Sequence, residues 1–270
     1  MSQDAQEEPI SKKRVVYEIP GMETVTLRLD VEFRKTDAGI QTMDLYSPSE
    51  SNGGEQVPAV IFVSGYPDAG MQKMLGCKLK EMGAYISWAQ LVAASGLVAI
   101  TYSAAEPVSD LDALLGYVRE NAAELGIDEN RIGFWACSGN VPNALSALMR
   151  ETNDCLKCAV LLYGLMLDLD GSTSVAQAAN VFGFANPAAG KSVDDLPAEL
   201  PLFIARAGQD HSQLNETIDC FLAKALSRNL PVTFINHHTG PHFFDVMDDS
   251  EMSRQIIRQV LEFLQFQLLS

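Results

Sequence analysis

The sequence predicts one α/β domain: a mostly parallel central sheet, helices on both faces, and antiparallel strands along its N-terminal edge. Three observations lead there. From Pro58 onward, short unbroken apolar runs alternate with helix-length segments. Unbroken runs of Val, Ile, Leu and Phe are the mark of strands buried on both faces, and strands alternating with helices build right-handed βαβ units. Ahead of Pro58 the pattern differs. Val25, Leu27, Leu29, Val31 and Phe33 are separated by mostly polar residues, the period-two signature of a half-buried strand. Finally, 47% of the 270 residues are hydrophobic, enough for one large core.

The elements follow in chain order. Residues 1–12 lack hydrophobic periodicity and are expected to form a flexible arm. Antiparallel edge strands are expected at 15–19, 25–33 and 40–46, then a polar loop at 47–56. Buried strands are expected at 58–63, 97–102, 131–136, 158–163, 201–205 and 231–235. Helices are expected at 78–95, 110–125, 215–229 and 250–269. The first carries Met82, Tyr85, Ile86, Ala89 and Val92 on one face. The second has Ser109 as its expected N-cap and Gly126 as its stop. Residues 165–200 are too long for a plain crossover and are expected as a short cap or lid insertion within a single domain spanning 1–270.

Charge and composition exclude several partners. The formal net charge is −16. Nucleic acids and anionic membranes are bound by basic surfaces, so neither is expected; a neutral small molecule is. No run of about 18 apolar residues predicts a membrane span. The N-terminal residues are polar and acidic, with no apolar stretch of a secretory signal. Cys77, Cys137, Cys155, Cys158 and Cys220 are odd in number and scattered, unlike a disulfide framework. A cytoplasmic location is expected. Cys155 and Cys158 form a lone CxxC with no second pair for zinc. No metal or organic cofactor is implied. The oligomeric state is left open, a homodimer among the options.

In an open parallel sheet, ligands bind beyond the carboxyl ends of the strands. The residues just after each apolar run are therefore the candidates. The run 131–136 leads into Cys137-Ser138-Gly139-Asn140 and then a helical stretch with Pro142 in its first turn. A tight strand-to-helix turn lifts its pivot side chain above the sheet and needs small flanks two residues to either side. With Ser138 as pivot the flanks are Ala136 and Asn140. With Cys137 as pivot, Trp135 would clash. Ser138 is thus the candidate nucleophile, helix capping being its plainer alternative.

A serine hydroxyl needs a base. All four histidines, His211, His237, His238 and His242, lie in the last quarter of the chain. His242 follows Gly240-Pro241, a turn that can carry it back over the sheet, and is the candidate base. His237 and His238 sit at a strand end, in structural or pocket-edge roles. Asp210 follows the run 201–205 and falls between Ser138 and His242, the order this architecture uses; its role would be to orient His242. Asp245 is too close to His242 in sequence to face it easily and is expected to be solvated or to cap the final helix. Negative charge on a tetrahedral intermediate calls for two backbone N–H groups. Gly139 would supply one. Tyr66, in Ser64-Gly65-Tyr66-Pro67, would supply the other, since Gly65 permits close approach and Pro67 has no N–H. Gly65, Cys137, Phe182 and Phe184 are the expected substrate contacts.

At this point the chain resembles the α/β-hydrolase family, in particular its esterase and dienelactone-hydrolase-like branch, from about Pro58 to the C-terminus. Residues 131–140 resemble the family's strand and elbow, Arg-Ile-Gly, an apolar pair, then Gly-x-Ser-x-Gly. Ser64-Gly65-Tyr66-Pro67 resembles the His-Gly-x-Pro oxyanion loop. The stretches 208–210 and 240–242 resemble the acid and histidine loops. Ala136 and Asn140 stand where the elbow has Gly, and Ser64 where the loop has His. Dienelactone hydrolases proper use Cys at the elbow; Cys137 is out of that frame, which favours the serine esterases. The resemblance implies a carboxylesterase acting through an acyl-enzyme, and the modest length of the 165–200 insertion points to small, short-acyl esters. The alternatives are an amidase, peptidase or thioesterase of the same fold, or a non-catalytic ligand-binding member.

Overall fold

The apolar runs become strands of one eight-stranded sheet. The computed structural model describes residues 8–37, 39–49, 56–150 and 154–270. Residues 1–7 of the expected arm and 50–55 of the expected loop lie outside them. The strands are β1 (Thr26–Thr36), β2 (Gly39–Ser47), β3 (Val57–Phe62), β4 (Val98–Tyr102), β5 (Ile127–Cys137), β6 (Leu156–Leu162), β7 (Leu202–Ala207) and β8 (Val232–His237). Their spatial order is β1-β2-β4-β3-β5-β6-β7-β8. β1 pairs antiparallel with β2, and β2 with β4; every later pairing is parallel.

Period-two alternation sorts each central strand onto two cores. Ala59 and Ile61 of β3 join Phe134 and Ala136 of β5 on one face, while Val60, Phe62, Trp135 and Cys137 point to the other. The first face is covered by α3 (Pro107–Glu120), α5 (Val141–Leu148) and α7 (Ser212–Ser227), and by the insertion with α6 (Ser174–Phe182). The second is covered mainly by α2 (Gly83–Ala94) and α9 (Glu251–Leu269). Three short helices complete the set: α1 (Asp68–Leu75), α4 (Ala122–Leu125) and α8 (Phe244–Met247).

Several local expectations change. Residues 15–19 form no strand, because their donors go elsewhere: Val15 N–H to the Ser87 hydroxyl at 3.0 Å and Val16 N–H to the Asp245 carbonyl at 2.9 Å. The end of the expected arm is tied down, with Ser11 C=O accepting from Gly83 N–H at 2.9 Å. Ser109 does not cap α3. Pro107 starts the helix three residues earlier than expected, and the Asp110 carboxylate reaches back to the N–H groups of Ala105 and Glu106 at 2.8 and 2.7 Å. On β1, the edge strand of the sheet, Leu27 and Leu29 are 46% and 57% exposed. The expected 110–125 helix breaks at Asn121, and Gly126 stops the short α4 that follows, at a left-handed φ of 70°.

Candidate active site

The site begins where β5 ends. Cys137 is extended, Ser138 turns left-handed at φ 53°, and a single 3-10 turn, Ser138–Asn140, leads into α5. Pro142 sits in the first turn of α5, where its missing N–H has no partner to lose. A left-handed serine is strained by about 1–2 kcal/mol, so its surroundings must hold it. The loop after β3 does this. A Cβ on Gly65 would lie 2.6 Å from the Gly139 carbonyl oxygen and 2.9 Å from Asn140 Cα, so only glycine allows the two turns to lie on one another.

Asn140 locks that contact. Its Oδ1 accepts from Gly65 N–H at 2.7 Å, and its Nδ2 donates to the Tyr85 hydroxyl and the Cys137 carbonyl, both at 3.0 Å. Asn143 donates to the Ser64 and Pro107 carbonyls at 2.8 and 3.0 Å. The asparagine in place of an elbow glycine is therefore a clamp between turns. Among the described residues, no hydrogen bond takes up the Tyr66 N–H, whereas that of Gly65 is engaged by Asn140.

Two further loops bring the other groups to Ser138. Asp210 follows β7 and His242 follows β8. His242 Nε2 lies 3.1 Å from Ser138 Oγ, and His242 Nδ1 lies 2.5 Å from Asp210 Oδ2. The Asp210 side chain is 4% exposed and that of His242 32%. The two loops fit only because of glycines. A Cβ on Gly208 would meet the His238 carbonyl oxygen at 2.4 Å, and one on Gly240 would meet the His237 ring at 2.5 Å. His237 is fully buried and hydrogen-bonds Asp248 and Ser253 through Nε2 at 3.0 and 2.9 Å.

Asp245 departs from its expected surface role. It is buried, accepting from Trp88 Nε1 and from the Tyr163 hydroxyl, both at 2.7 Å. The Tyr163 ring meets His242 edge-on at 4.9 Å. Asp245 thereby ties the histidine loop to α2 and to the end of β6. Tyr163, Trp88 and Asn143 also escaped sequence reasoning. No local pattern marks them, and Trp88 and Asp245 are 157 residues apart.

The expected substrate contacts divide. Phe184 is buried and packs on Tyr66, with ring centroids 5.6 Å apart. Gly65 is spent on backbone contact with the nucleophile turn. Cys137 is corrected: it points below the sheet, beside the Tyr85 hydroxyl, and is 1% exposed, so it touches no substrate. Burial, with the Asp245 charge adding to it, pushes its thiol up to about 12. Phe182 lies on the surface at the end of α6, 55% exposed. A cavity of about 380 Å³ lies between the insertion and α7, bounded by Asp168, Lys191, Lys224 and Arg228; none of Ser138, Asp210 or His242 lines it.

Solved esterases have the same architecture. A thermophilic esterase of the planctomycete Thermogutta terrifontis, Est2, superposes with a TM-score of 0.65 at 17% identity, over 92% of this chain and 94% of that one. The hyperthermophilic esterase of the archaeon Pyrobaculum calidifontis gives 0.66 at 18%, over 91% and 87%. Esterase Est22 gives 0.66 at 17%, over 90% and 81%. The chain has the α/β-hydrolase fold. Neither a protein-family model nor a curated protein matches it. Thermogutta terrifontis esterase 2 has also been solved phosphonylated by sarin. In this chain the Ser138 turn follows β5, Asp210 follows β7 and His242 follows β8.

Asn140→Gly should lower stability by about 1–3 kcal/mol, because the buried Gly65 N–H loses its acceptor. Urea unfolding reads this as a lower midpoint at constant slope; an unchanged midpoint would show that the clamp holds nothing. A second expectation concerns Asp245. Burial holds its carboxyl above the usual carboxylate range, against the pull of the bonds from Trp88 and Tyr163. A folded-state pKa above the unfolded one gives stability that is present below the unfolded value and lost as pH rises through the folded value. Asp245→Asn cannot titrate, so the stability of wild type relative to the variant should fall as pH rises from about 4. Urea midpoints of both proteins across the acid range test this, and a difference that grows with pH would reverse the assignment.

Proposed function

We propose that the chain is a serine carboxylesterase that hydrolyses small, short-acyl esters through an acyl-enzyme. The observation that carries this reading is the hydrogen-bonded line from Ser138 Oγ through His242 to Asp210, 3.1 and 2.5 Å long. Its serine sits left-handed on a strand-to-helix turn. The likeness of the fold to solved esterases supports it further.

Ser138 Oγ attacks the ester carbonyl carbon while His242 Nε2 takes its proton. Asp210 holds Nδ1–H, fixing the tautomer and stabilising the imidazolium that forms. The carbonyl oxygen becomes an oxyanion facing the N–H groups of Gly139 and Tyr66. Each such donor is worth about 3–4 kcal/mol to the transition state. The tetrahedral intermediate collapses, and His242 returns the proton to the leaving alcohol. Water, deprotonated by His242, then releases the acid by the same steps in reverse.

The insertion at 165–200 acts as a cap. Leu165 N–H bonds the Ser138 carbonyl at 3.2 Å and Ala185 N–H bonds the Gly65 carbonyl at 2.8 Å. Phe184, packed on Tyr66 close to the nucleophile, shortens the space for an acyl chain. All five cysteines are free thiols, which fits a reducing compartment and a cytoplasmic location.

A fluorophosphonate probe should leave its adduct on Ser138, and His242→Ala should abolish it. Peptide mapping reads the position, and folded protein without an adduct at Ser138 would refute the nucleophile. Rates on p-nitrophenyl esters should fall as the acyl chain lengthens; a rise toward long chains would overturn the short-acyl assignment.

A further inference from the structure

We infer that the Tyr66 side-chain hydroxyl, in addition to its backbone N–H, donates a hydrogen bond to the oxyanion formed at Ser138. The inference rests on the esterase reading and adds a donor to it.

The geometry starts at Gly139, the residue after the nucleophile. A Cβ built on Gly139 would fall 2.3 Å from Tyr66 Oη and 2.9 Å from Tyr66 Cζ. The phenol therefore occupies the volume a side chain would fill at the residue whose N–H faces the oxyanion. Gly139 leaves that volume open, and any larger residue would drive the hydroxyl out. The same point lies 2.7 Å from Phe184 Cδ1, and the two rings meet edge to face at 66°. Phe184 thus backs the Tyr66 ring. The main chain is held as well: Ser64 Oγ donates to the Tyr66 carbonyl at 3.0 Å, and Pro67 fixes the next φ. A donor held before the reaction needs no reorganisation when charge appears, which is what makes such groups effective.

The phenol also stays protonated. Burial pushes its pKa well above the ordinary tyrosine value, the Cys137 thiol adds to the rise, and the facing Ser138 hydroxyl opposes it. Tyr66 transfers no proton: its O–H remains intact and points at an oxygen that gains a full negative charge. A bond to an ion is roughly twice as strong as one between neutral groups, so the contact favours the transition state over the bound ester. That difference is what raises kcat.

Tyr66→Phe removes Oη and leaves the ring and the backbone N–H. With rates normalised to active sites titrated by a fluorophosphonate, kcat on p-nitrophenyl acetate should fall roughly 100-fold with little change in KM. The affinity of a boronic acid, which binds as a tetrahedral anion on Ser138, should fall by a similar factor. The affinity of an uncharged ketone analogue of the substrate that does not add to serine should not change. An unchanged kcat, or a loss confined to KM, would overturn the inference and leave Tyr66 as a pocket wall. Titrating active sites keeps a poorly folded variant from imitating the effect. A wild-type protein that neither labels at Ser138 nor turns over would instead sink the esterase reading itself.

Discussion

The upper face of this molecule depends on one close contact, the turn after β3 lying directly on the turn after β5. Gly65 makes the approach sterically available, and Asn140 fastens it through the Gly65 N–H. Once the two turns move as one piece, three things follow. Ser138 keeps a left-handed backbone that an isolated turn would relax. The Tyr66 N–H is held at the same end of the sheet as Gly139. The Tyr66 ring has a floor at Gly139 and a wall at Phe184. An elbow glycine at position 140 would permit the turn but would not join it to its neighbour.

A second constraint lies below the histidine. Asp245 is a carboxylate taken out of water, an unfavourable act unless donors meet it. Trp88 and Tyr163 do so, and the Asp245 carbonyl also receives Val16 N–H. Three distant segments thus converge just behind His242. The left-handed Phe243, at φ 59°, lies between the two residues. Desolvation opposes the group's charge, so the arrangement contributes direction to the loop more than net stability. With Asp210 at its Nδ1 and Tyr163 at its ring edge, His242 has little freedom left.

Much of this was legible in the sequence because it is local. Unbroken apolar runs mark buried strands, and the residues after them fall at one end of a parallel sheet. Ser138, Asp210 and His242 were singled out by that rule together with the order in which they occur, and their side chains lie within hydrogen-bonding distance of one another. Gly65 was singled out because a glycine permits close approach, but as a substrate contact; what approaches it is the turn at Gly139 and Asn140. What was missed depends on contacts the chain does not advertise. Nothing near Asp245 reveals an indole 157 residues earlier. Residues 15–19 have a strand's composition, but the Ser87 side chain and the Asp245 carbonyl in α8 take up the Val15 and Val16 donors. Ser109 looked like a cap until Pro107 and Asp110 did that work together. Cys137 neighbours Ser138 in sequence, but alternation along β5 sends it to the opposite side.

The spacing of the site along the chain has a consequence for its birth on the ribosome. Ser138 and His242 are separated by 104 residues, and the loops bearing the acid and the base both come from the last third of the protein. While the chain is being made, the serine emerges long before Asp210 or His242. It remains an ordinary alcohol until β7 and β8 have joined the edge of the sheet. Parallel strands cannot pair until their crossovers exist, so Asp210 and His242 can reach Ser138 only after the crossovers to β7 and β8 have been made. A nascent or truncated copy therefore carries the whole Ser138 turn without the two side chains that line up behind it in the folded protein.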